Sequence, residues 1–253
     1  MLKSKLIIAG SNFIFDHINQ NYQNFLNYKN KMLVIFRGIN LEYFNAQSVS
    51  ATKKTKLAQL WKLNEHAFKI LLPGRLTSWK GQEIFIEALN ILCEDYKKTN
   101  FQAVILGSDQ GRNVYRKKLN GLTERYNLTK KIRFIDNFRE MPVAYSLFDV
   151  VISSSIKPES FGRVAVEAQS MKKIIIASDL GGSKETILKG KSGFLYNHND
   201  PRDLAKVINS TMEMDKEALY SMGIEGRKNV TKKFDVEKMC NTTFTEYKKL
   251  LKK

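Results

Sequence analysis

Cysteine and histidine are scarce in this sequence of 253 residues. Its two cysteines, Cys93 and Cys240, lie far apart and match no metal-ligand spacing, which excludes a disulfide scaffold and a zinc module. The three histidines, His17, His66 and His198, are too scattered along the chain to predict a metal cluster. We therefore expect a protein of a reducing compartment that carries no metal site.

Long hydrophobic runs are also missing. No uninterrupted apolar run reaches the ~18 residues that a membrane-spanning helix needs, and the longest candidate, residues 143–156, is interrupted by Asp149. Residues 6–10 form a short apolar core with no convincing cleavage site after it, so we predict a strand there rather than a signal peptide. These features predict a cytoplasmic protein.

Acidic residues are fewer than basic residues. The chain has 25 Asp and Glu against 42 Lys and Arg, a formal net charge of +17. Such an excess favours anionic partners, namely phosphates, nucleic acid or an acidic membrane face, without choosing among them. The proportions of hydrophobic (43%) and charged (26%) residues are those of a globular protein, which excludes wholesale disorder.

Short β-branched runs alternate with longer amphipathic stretches along the whole chain. Strands are predicted at residues 6–9, 32–36, 68–73, 101–106, 131–135, 150–153, 174–177 and 193–196. Helices are predicted at residues 12–26, 52–63, 82–98, 114–126, 164–172, 203–214, 216–232 and 236–252, the last with Asp235 as N-cap and an apolar face that includes Phe244, Tyr247 and Leu251. This alternation predicts an α/β fold with a doubly wound, Rossmann-like parallel sheet covered by helices on both faces.

The predicted strands divide the chain unevenly. Six strands from Phe68 onward suffice for a complete domain, whereas the first 45 residues supply one strand–helix–strand fragment. Because a lone βαβ unit leaves a sheet face and an edge bare, this fragment must dock on the main domain or on another chain. The predicted division is an N-terminal fragment with an interdomain strand at 1–45, a Rossmann-like domain at 46–235 and a C-terminal helix at 236–253, with 37–40 and 45–56 as the best linker.

The loop after the strand at 68–73 carries Gly74, Arg75, Lys80 and Gly81. In open α/β sheets, ligands bind at the carboxyl ends of the strands. Glycines let the backbone approach a ligand, while Arg75 and Lys80 supply a fork and a point charge suited to a diphosphate. The alternative is a pair of solvated charges that flank an ordinary turn.

A second loop, after the strand at 150–153, contains Glu159, Phe161, Gly162 and Arg163, followed within the next helix by Glu167. The free N–H groups at a helix N-terminus form an anion site, and a carboxylate on the preceding loop can accept hydrogen bonds from sugar hydroxyls. Glu167, on the same helix face as Arg163, would meet another part of an extended ligand. The alternative is an exposed Glu159 and a Glu167 paired with a surface lysine.

Three further loops occur at the same predicted edge of the sheet. Residues 107–111 are consistent with a simple turn and with a ligand contact. Phe138 is consistent with a stacking residue and with a core residue. The sequence favours neither alternative in either loop. Gly181 and Gly182 precede the acidic Glu185.

The order and spacing of these landmarks resemble the C-terminal, donor-binding domain of the retaining glycosyltransferases of family 4, which have the GT-B fold. The resemblance runs from Phe68 to about Phe234. The opening segment resembles the end of that family's N-terminal domain, with Asn40 at a position that is usually Asp. The landmarks are Gly74-Arg75 with Lys80-Gly81, Pro158-Glu159-x-Phe161-Gly162 with Glu167, Gly181-Gly182-Ser-Lys-Glu185, Gly193-Phe194, Gly10-Ser11-Asn12-Phe13 and Arg37-Gly38-Ile39-Asn40 with Phe44.

The resemblance implies hexosyl transfer, with retention, from a nucleotide-diphospho-sugar to a glycan or lipid-linked acceptor in polysaccharide or lipopolysaccharide biosynthesis. By residue, it implies Gly74, Arg75 and Lys80 at the donor diphosphate, Glu159 as the catalytic-site glutamate near the donor sugar hydroxyls, backbone amides of Phe161, Gly162 and Arg163 at sugar or phosphate, and Glu167 at the ribose. The sequence lacks a D-x-D motif, so neither a metal nor another cofactor is expected. Residues 46–235 would then bind the donor, and residues 1–45 would be a remnant of the acceptor domain.

Most of the family's acceptor domain, including a histidine near the reaction centre, has no counterpart here, and His17 reads as a helix-surface residue. The sequence therefore predicts a truncated enzyme or one half of a split enzyme with a separately encoded N-terminal half. The alternative is a nucleotide-sugar-binding remnant without catalysis.

The excess of basic residues allows two further partners. Nucleic-acid binding is the less favoured alternative, because the basic residues are dispersed and match no nucleic-acid motif. Lysines near both ends could instead favour a peripheral contact with an anionic membrane, where lipid-linked acceptors reside. These are Lys3, Lys5, Lys248, Lys249, Lys252 and Lys253.

Overall fold

The computed structural model describes residues 4–22, 31–111 and 113–251. The strands are β1 (Ile7–Ala9), β2 (Met32–Val34), β3 (Phe68–Pro73), β4 (Phe101–Leu106), β5 (Ile132–Ile135), β6 (Val150–Ser153), β7 (Ile174–Ser178) and β8 (Phe194–Tyr196). The helices are α1 (Asn12–Asn21), α2 (Ala51–Leu60), α3 (Gln82–Glu94), α4 (Asn113–Arg125), α5 (Met141–Ser146), α6 (Arg163–Ser170), α7 (Ser183–Thr186), α8 (Pro201–Glu213), α9 (Lys216–Lys233) and α10 (Val236–Leu251). The strands match the predicted ones within two residues at each end.

The main sheet has six parallel strands in the order β5-β4-β3-β6-β7-β8. Side chains alternate between its two faces: Ile70 and Leu72 of β3 enter one hydrophobic core, and Leu71 between them enters the other. Both faces are thus covered, which explains why the strands read as continuous apolar runs. The predicted doubly wound α/β fold is confirmed.

The strand order reverses between β3 and β6, because the chain leaves the edge at β5 and returns to the middle of the sheet. Such a switch point opens a crevice at the carboxyl ends of the two central strands. The loops that enter this crevice are residues 74–81 after β3 and residues 154–162 after β6. Topology alone therefore brings the two sequence-predicted ligand loops to one place.

The predicted linker at 45–56 has regular structure, and its second half belongs to the helix that was predicted at 52–63. It contains a 3-10 turn (Ala46–Ser48) and the first half of α2, whose Leu57 and following Trp61 are buried in the core. The stretch before it is also fixed, because Arg227 on α9 donates hydrogen bonds to the carbonyl oxygens of Leu41 (3.1 Å) and Phe44 (2.6 Å). Buried apolar side chains outweigh the polar composition that suggested a linker.

The N-terminal strands β1 and β2 form a parallel pair with α1, around a small core of Ile7, Ile18 and Met32. The predicted helix at 12–26 ends at Asn21, and its remainder from residue 23 lies outside the described residues. This N-terminal unit docks on the main domain, one of the two alternatives that the sequence left open. The ring of Phe36 packs edge-on against Phe234, 5.5 Å between centroids.

The last helix, α10, begins as predicted, with the Asp235 carboxylate accepting a hydrogen bond from the Glu237 N–H at 3.0 Å. Its predicted apolar face is exposed: Phe244, Tyr247 and Leu251 keep 58%, 54% and 87% of their surface. No residue of α10 is buried by the part of the chain that the structure describes.

Burial lowers the pKa of Lys173, which precedes β7, to about 8, and its ammonium group donates to the Ser146 carbonyl oxygen at 3.1 Å. Because its pKa in the unfolded chain is about 10.4, the unfolded state binds more protons between these values. Stability should therefore rise with pH across this range. We expect Lys173→Met to raise the free energy of unfolding at pH 7 and to reduce its increase between pH 8 and pH 10, measured by urea denaturation.

The matched control is Lys130→Met, which removes an exposed lysine and should change stability by less than about 0.5 kcal/mol. A variant at position 173 that is less stable than the parent at pH 7 would contradict the assignment.

Candidate functional site

Two adjacent hollows lie at the carboxyl ends of the central strands. The first hollow, about 550 Å³, is lined by residues of the 37–44 segment, by Arg139 and by the 159–163 loop. The second hollow, about 350 Å³, is lined by Gly74, Arg75 and residues after β4 and β5. Met141 and Glu167 line both. The predicted site residues are thus brought together at one edge, but they do not surround a single hollow, and Lys80 lines neither of the two.

The 74–81 loop is fixed against the end of β6. Gly81 has φ +68°, and a Cβ there would overlap the carbonyl oxygen of Ser154, so this turn requires glycine. The Ser154 hydroxyl in turn donates to the carbonyl oxygens of Lys80 and Gly81, at 3.0 Å each. Arg75 is exposed and lines the second hollow.

Lys80 and Glu159 form an ion pair between the two predicted ligand loops. The Lys80 ammonium lies 2.7 Å from Glu159 Oε1, and the two side chains are only 16% and 12% exposed. The Ser155 hydroxyl donates to the same oxygen, and the ammonium lies 4.4 Å from the centre of the Trp79 ring. The alternative of an exposed, solvated Glu159 is therefore wrong, and no donor in the described residues reaches its Oε2.

Glu167 is buried on α6 with both carboxylate oxygens occupied. Arg163 Nε donates to Oε1 at 2.6 Å, one turn away as predicted, and the Tyr145 hydroxyl donates to Oε2 at 2.8 Å. Burial and the negative charge of Glu167 hold the pKa of Tyr145 well above its usual value, so Tyr145 remains a donor. The alternative in which a surface lysine pairs with Glu167 is wrong.

The N-terminus of α6 forms part of the lining of the first hollow. The N–H groups of Phe161, Gly162 and Arg163 have no acceptor in the part of the chain that the structure describes. The Phe161 ring is buried against Phe234, 5.6 Å between centroids, so only its backbone is available to a ligand. This is the arrangement that binds anions at helix ends.

The glycine pair supports the Glu159 loop instead of lining a hollow. Gly182 N–H donates to the Glu159 carbonyl oxygen at 2.7 Å, and a Cβ at Gly181, whose φ is +58°, would lie 2.7 Å from that oxygen. Only a residue without a side chain lets α7 approach so closely.

Glu185 caps a helix of the N-terminal unit. Its carboxylate accepts hydrogen bonds from the backbone N–H groups of Asn12 (2.9 Å) and Phe13 (2.6 Å) at the start of α1. The Ser11 hydroxyl, beside them, donates to the Ser160 carbonyl oxygen at 2.5 Å. The acid that the sequence placed after the glycine pair therefore attaches the N-terminal unit to the site loop.

In the two remaining loops, residues line a hollow and also form the turn or the core contact that the sequence left open as the alternative. Ser108 and Gln110 line the second hollow, although residues 107–111 also form an ordinary turn. Phe138 lines the same hollow and packs edge-on against Trp61, 5.2 Å between centroids. His17 is exposed on α1, as predicted.

Sequence reasoning missed Tyr145, Arg37 and Arg139. Tyr145 lies within an apolar run, where a tyrosine needs a partner for its hydroxyl, and that need was the available signal. Arg37 and Arg139 each follow the carboxyl end of a strand, the position that identified the other ligand loops. In residues 4–22, 31–111 and 113–251, no three His, Cys, Asp or Glu side chains meet as a metal site. The helices of this part include none with the length and apolar character to cross a bilayer.

Comparisons with known proteins identify one family profile and several similar proteins. The profile of the family described as "Glycosyl transferases group 1" matches residues 53–229. A curated relative, "D-inositol 3-phosphate glycosyltransferase" of Corynebacterium urealyticum, is 28% identical over 195 residues, which cover 76% of this chain and 45% of the relative.

Two crystal structures are similar over nearly the whole chain. The glycosyltransferase from Rickettsia africae ESF-5 has a TM-score of 0.90 and 31% identity, covering 99% of this chain and 65% of that one. Anabaena HepE in complex with UDP-glucose has a TM-score of 0.84 and 26% identity, covering 96% and 63%. These structural neighbours are GT-B glycosyltransferases, the fold expected from the sequence. The chain spans less than two thirds of each of these relatives.

The contact between Glu185 and α1 gives a testable prediction. Glu185→Gln replaces a carboxylate that accepts two helix N–H groups and balances the positive end of α1, so we expect a loss of about 1–2 kcal/mol in the free energy of unfolding. Urea denaturation measures it. The same change at Glu225, an exposed partner of Lys228, should cost less than about 0.5 kcal/mol, and equal effects at the two positions would refute the capping role.

Proposed function

This chain belongs to the group 1 glycosyl transferases, since the family profile matches residues 53–229, and we propose that it binds a nucleotide-diphospho-sugar donor for hexosyl transfer. The proposed enzyme is a retaining, metal-independent member of family 4. Its acceptor is a glycan or a lipid-linked sugar of polysaccharide or lipopolysaccharide biosynthesis.

The observation that carries the proposal is the convergence of cationic and N–H groups at the switch point. Lys80 is ion-paired beside the first hollow, Arg75 lines the second, and the N-terminus of α6 lies next to both. A diphosphate needs this combination of a fork, a point charge and amide donors. The similar HepE structure contains UDP-glucose, a ligand of this class.

The two glutamates suit opposite ends of such a donor. Glu159 has Oε2 unoccupied within the described residues, so it can accept a donor sugar hydroxyl while Lys80 and Ser155 hold Oε1. Each oxygen of Glu167 already accepts one hydrogen bond and has a second lone pair for a ribose hydroxyl. In this proposal the ribose occupies the second hollow, with Phe138 near the base.

Catalysis then depends on stabilising the charge of the leaving diphosphate. Arg75, Lys80 and the N–H groups of Phe161, Gly162 and Arg163 would take up the negative charge that develops as the bond to the sugar breaks. The acceptor hydroxyl attacks from the face that the nucleotide leaves and gives its proton to the departing diphosphate, so the configuration is retained. Gly74 lines the second hollow next to the Lys80 side chain, so its backbone is available to the donor in this proposal.

A second candidate is a protein that binds the donor without transferring the sugar. Donor binding with no release of UDP after an acceptor is added would support this alternative. Nucleic-acid binding has no further support from the structure.

Isothermal calorimetry with UDP, GDP and their sugars tests donor binding. We expect Arg75→Ala and Lys80→Ala each to weaken the affinity at least ~10-fold, because each removes a charge-assisted hydrogen bond to phosphate. Lys117→Ala, an exposed lysine on α4 outside both hollows, is the control and should bind normally.

Because Lys80→Ala also leaves Glu159 without its partner, circular dichroism must confirm that this variant folds. Arg75 is exposed, so Arg75→Ala tests the contact without that complication. The donor proposal fails if no nucleotide binds, or if binding is indifferent to both substitutions.

We also propose a peripheral contact between α10 and an anionic membrane. Exposed Phe244, Tyr247 and Leu251 share this helix with Lys248 and Lys249, a combination suited to a lipid surface. Lys5 lies in the N-terminal unit, and Lys3, Lys252 and Lys253 lie outside the described residues.

Vesicle sedimentation tests the membrane contact. We expect more protein to sediment with vesicles containing anionic lipid than with neutral ones, and Lys248→Glu to reduce that excess more than Lys117→Glu does, because only the former lies on α10. Sedimentation that is independent of lipid charge would exclude the contact.

A further inference from the structure

The charges that line the first hollow do not balance. Its acids are Glu159 and Glu167, and each is already paired: Glu159 with Lys80 at 2.7 Å and Glu167 with Arg163 at 2.6 Å. Two further arginines, Arg37 and Arg139, line the same hollow. Internal pairing therefore leaves the hollow with two uncompensated positive charges.

Arg37 and Arg139 have no acidic partner in the part of the chain that the structure describes. Neither forms an ion pair within residues 4–22, 31–111 and 113–251, and the other residues of the sequence include no Asp or Glu. Elsewhere on this surface arginines do pair, as Arg116 does with Asp136 at 2.6 Å. Two unpaired guanidinium groups at one cavity favour the binding of an external anion there.

The backbones of both arginines are held in place. Arg37 N–H donates to the Gly10 carbonyl oxygen at 3.3 Å, and the Arg37 side chain passes over Gly10, whose Cβ position lies 3.4 Å from Arg37 Cγ. The Arg139 carbonyl oxygen accepts a hydrogen bond from the Tyr43 hydroxyl at 3.0 Å. The two arginines come from separate segments that this bond joins, so the hollow is preformed on both sides.

We propose that the first hollow binds a second anionic group, a phosphate or a carboxylate, in addition to the donor's diphosphate. This inference rests on the proposed function, in which Arg75 and Lys80 hold the diphosphate. The anion is carried either by the acceptor or by the transferred sugar. Arg37 and Arg139 would then select a phosphorylated or acidic substrate over its neutral analogue, since guanidinium groups bind such oxyanions through paired N–H donors.

Calorimetry with the full chain tests the proposal in two arms. In the acceptor arm, the protein saturated with UDP is titrated with glucose 6-phosphate and with glucose. In the donor arm, UDP-glucuronic acid is compared with UDP-glucose. We expect the anionic ligand to bind at least ~10-fold more tightly than its neutral analogue in one arm, and that arm identifies which substrate carries the anion.

The variants separate this inference from the donor proposal. Arg37→Ala and Arg139→Ala should each abolish most of that preference while leaving the affinity for UDP within about twofold. Arg125→Ala, an exposed arginine on α4 outside both hollows, should change neither. Since Arg37 and Arg139 are exposed, folding is expected to tolerate their loss.

Three results would overturn the inference. If UDP binds but neither anionic ligand is preferred, the second anion site does not exist, although the donor site does. If Arg37→Ala and Arg139→Ala weaken UDP as strongly as Arg75→Ala does, the first hollow belongs to the diphosphate. If UDP does not bind at all, the proposed function itself fails.

Discussion

The structure of the site depends on the fixation of one short loop, residues 158–162, from three directions. The Lys80 ammonium holds the Glu159 carboxylate, the Gly182 N–H holds the Glu159 carbonyl oxygen, and the Ser11 hydroxyl holds the next carbonyl oxygen, that of Ser160. The three contacts come from the loop after β3, from the turn before α7 and from the N-terminal unit. Because the loop leads directly into α6, its position determines where the free amides at the start of that helix point.

The two glutamates of the site are each paired with one cation and one hydroxyl group. Each of the two glutamates is only slightly exposed, and each accepts hydrogen bonds from a cation and a hydroxyl group: Lys80 and Ser155 for Glu159, Arg163 and Tyr145 for Glu167. A buried carboxylate without such partners would be costly. The net positive charge of the chain therefore matters less than its distribution, since the cations near the hollows include both paired and unpaired groups.

The sequence predicted the sheet and most helices, because buried parallel strands and amphipathic helices have distinct periodicities. It also located the ligand loops, since parallel strands deliver their carboxyl ends to one edge. It could not show that Glu185 contacts α1, because that contact joins residues more than 170 positions apart. Nor could it show that Tyr145 supports Glu167, or that the apolar side of α10 stays uncovered. Each of these depends on tertiary packing, and the roles proposed for Arg75, Glu159 and Glu167 remain predictions.

The capping of α1 by Glu185 has a consequence for how oxyanions approach this edge. Two helix N-termini, those of α1 and α6, lie close enough to be linked through Ser11 and Ser160. Both carry partial positive charge from their aligned peptide dipoles. The Glu185 carboxylate neutralises the partial charge at α1, whereas the amides at the start of α6 have no acceptor in the described residues. An approaching phosphate would therefore be attracted to α6. The Glu185 carboxylate thus neutralises the competing dipole of α1. The N-terminus of α6 is then the preferred position for an incoming anionic ligand.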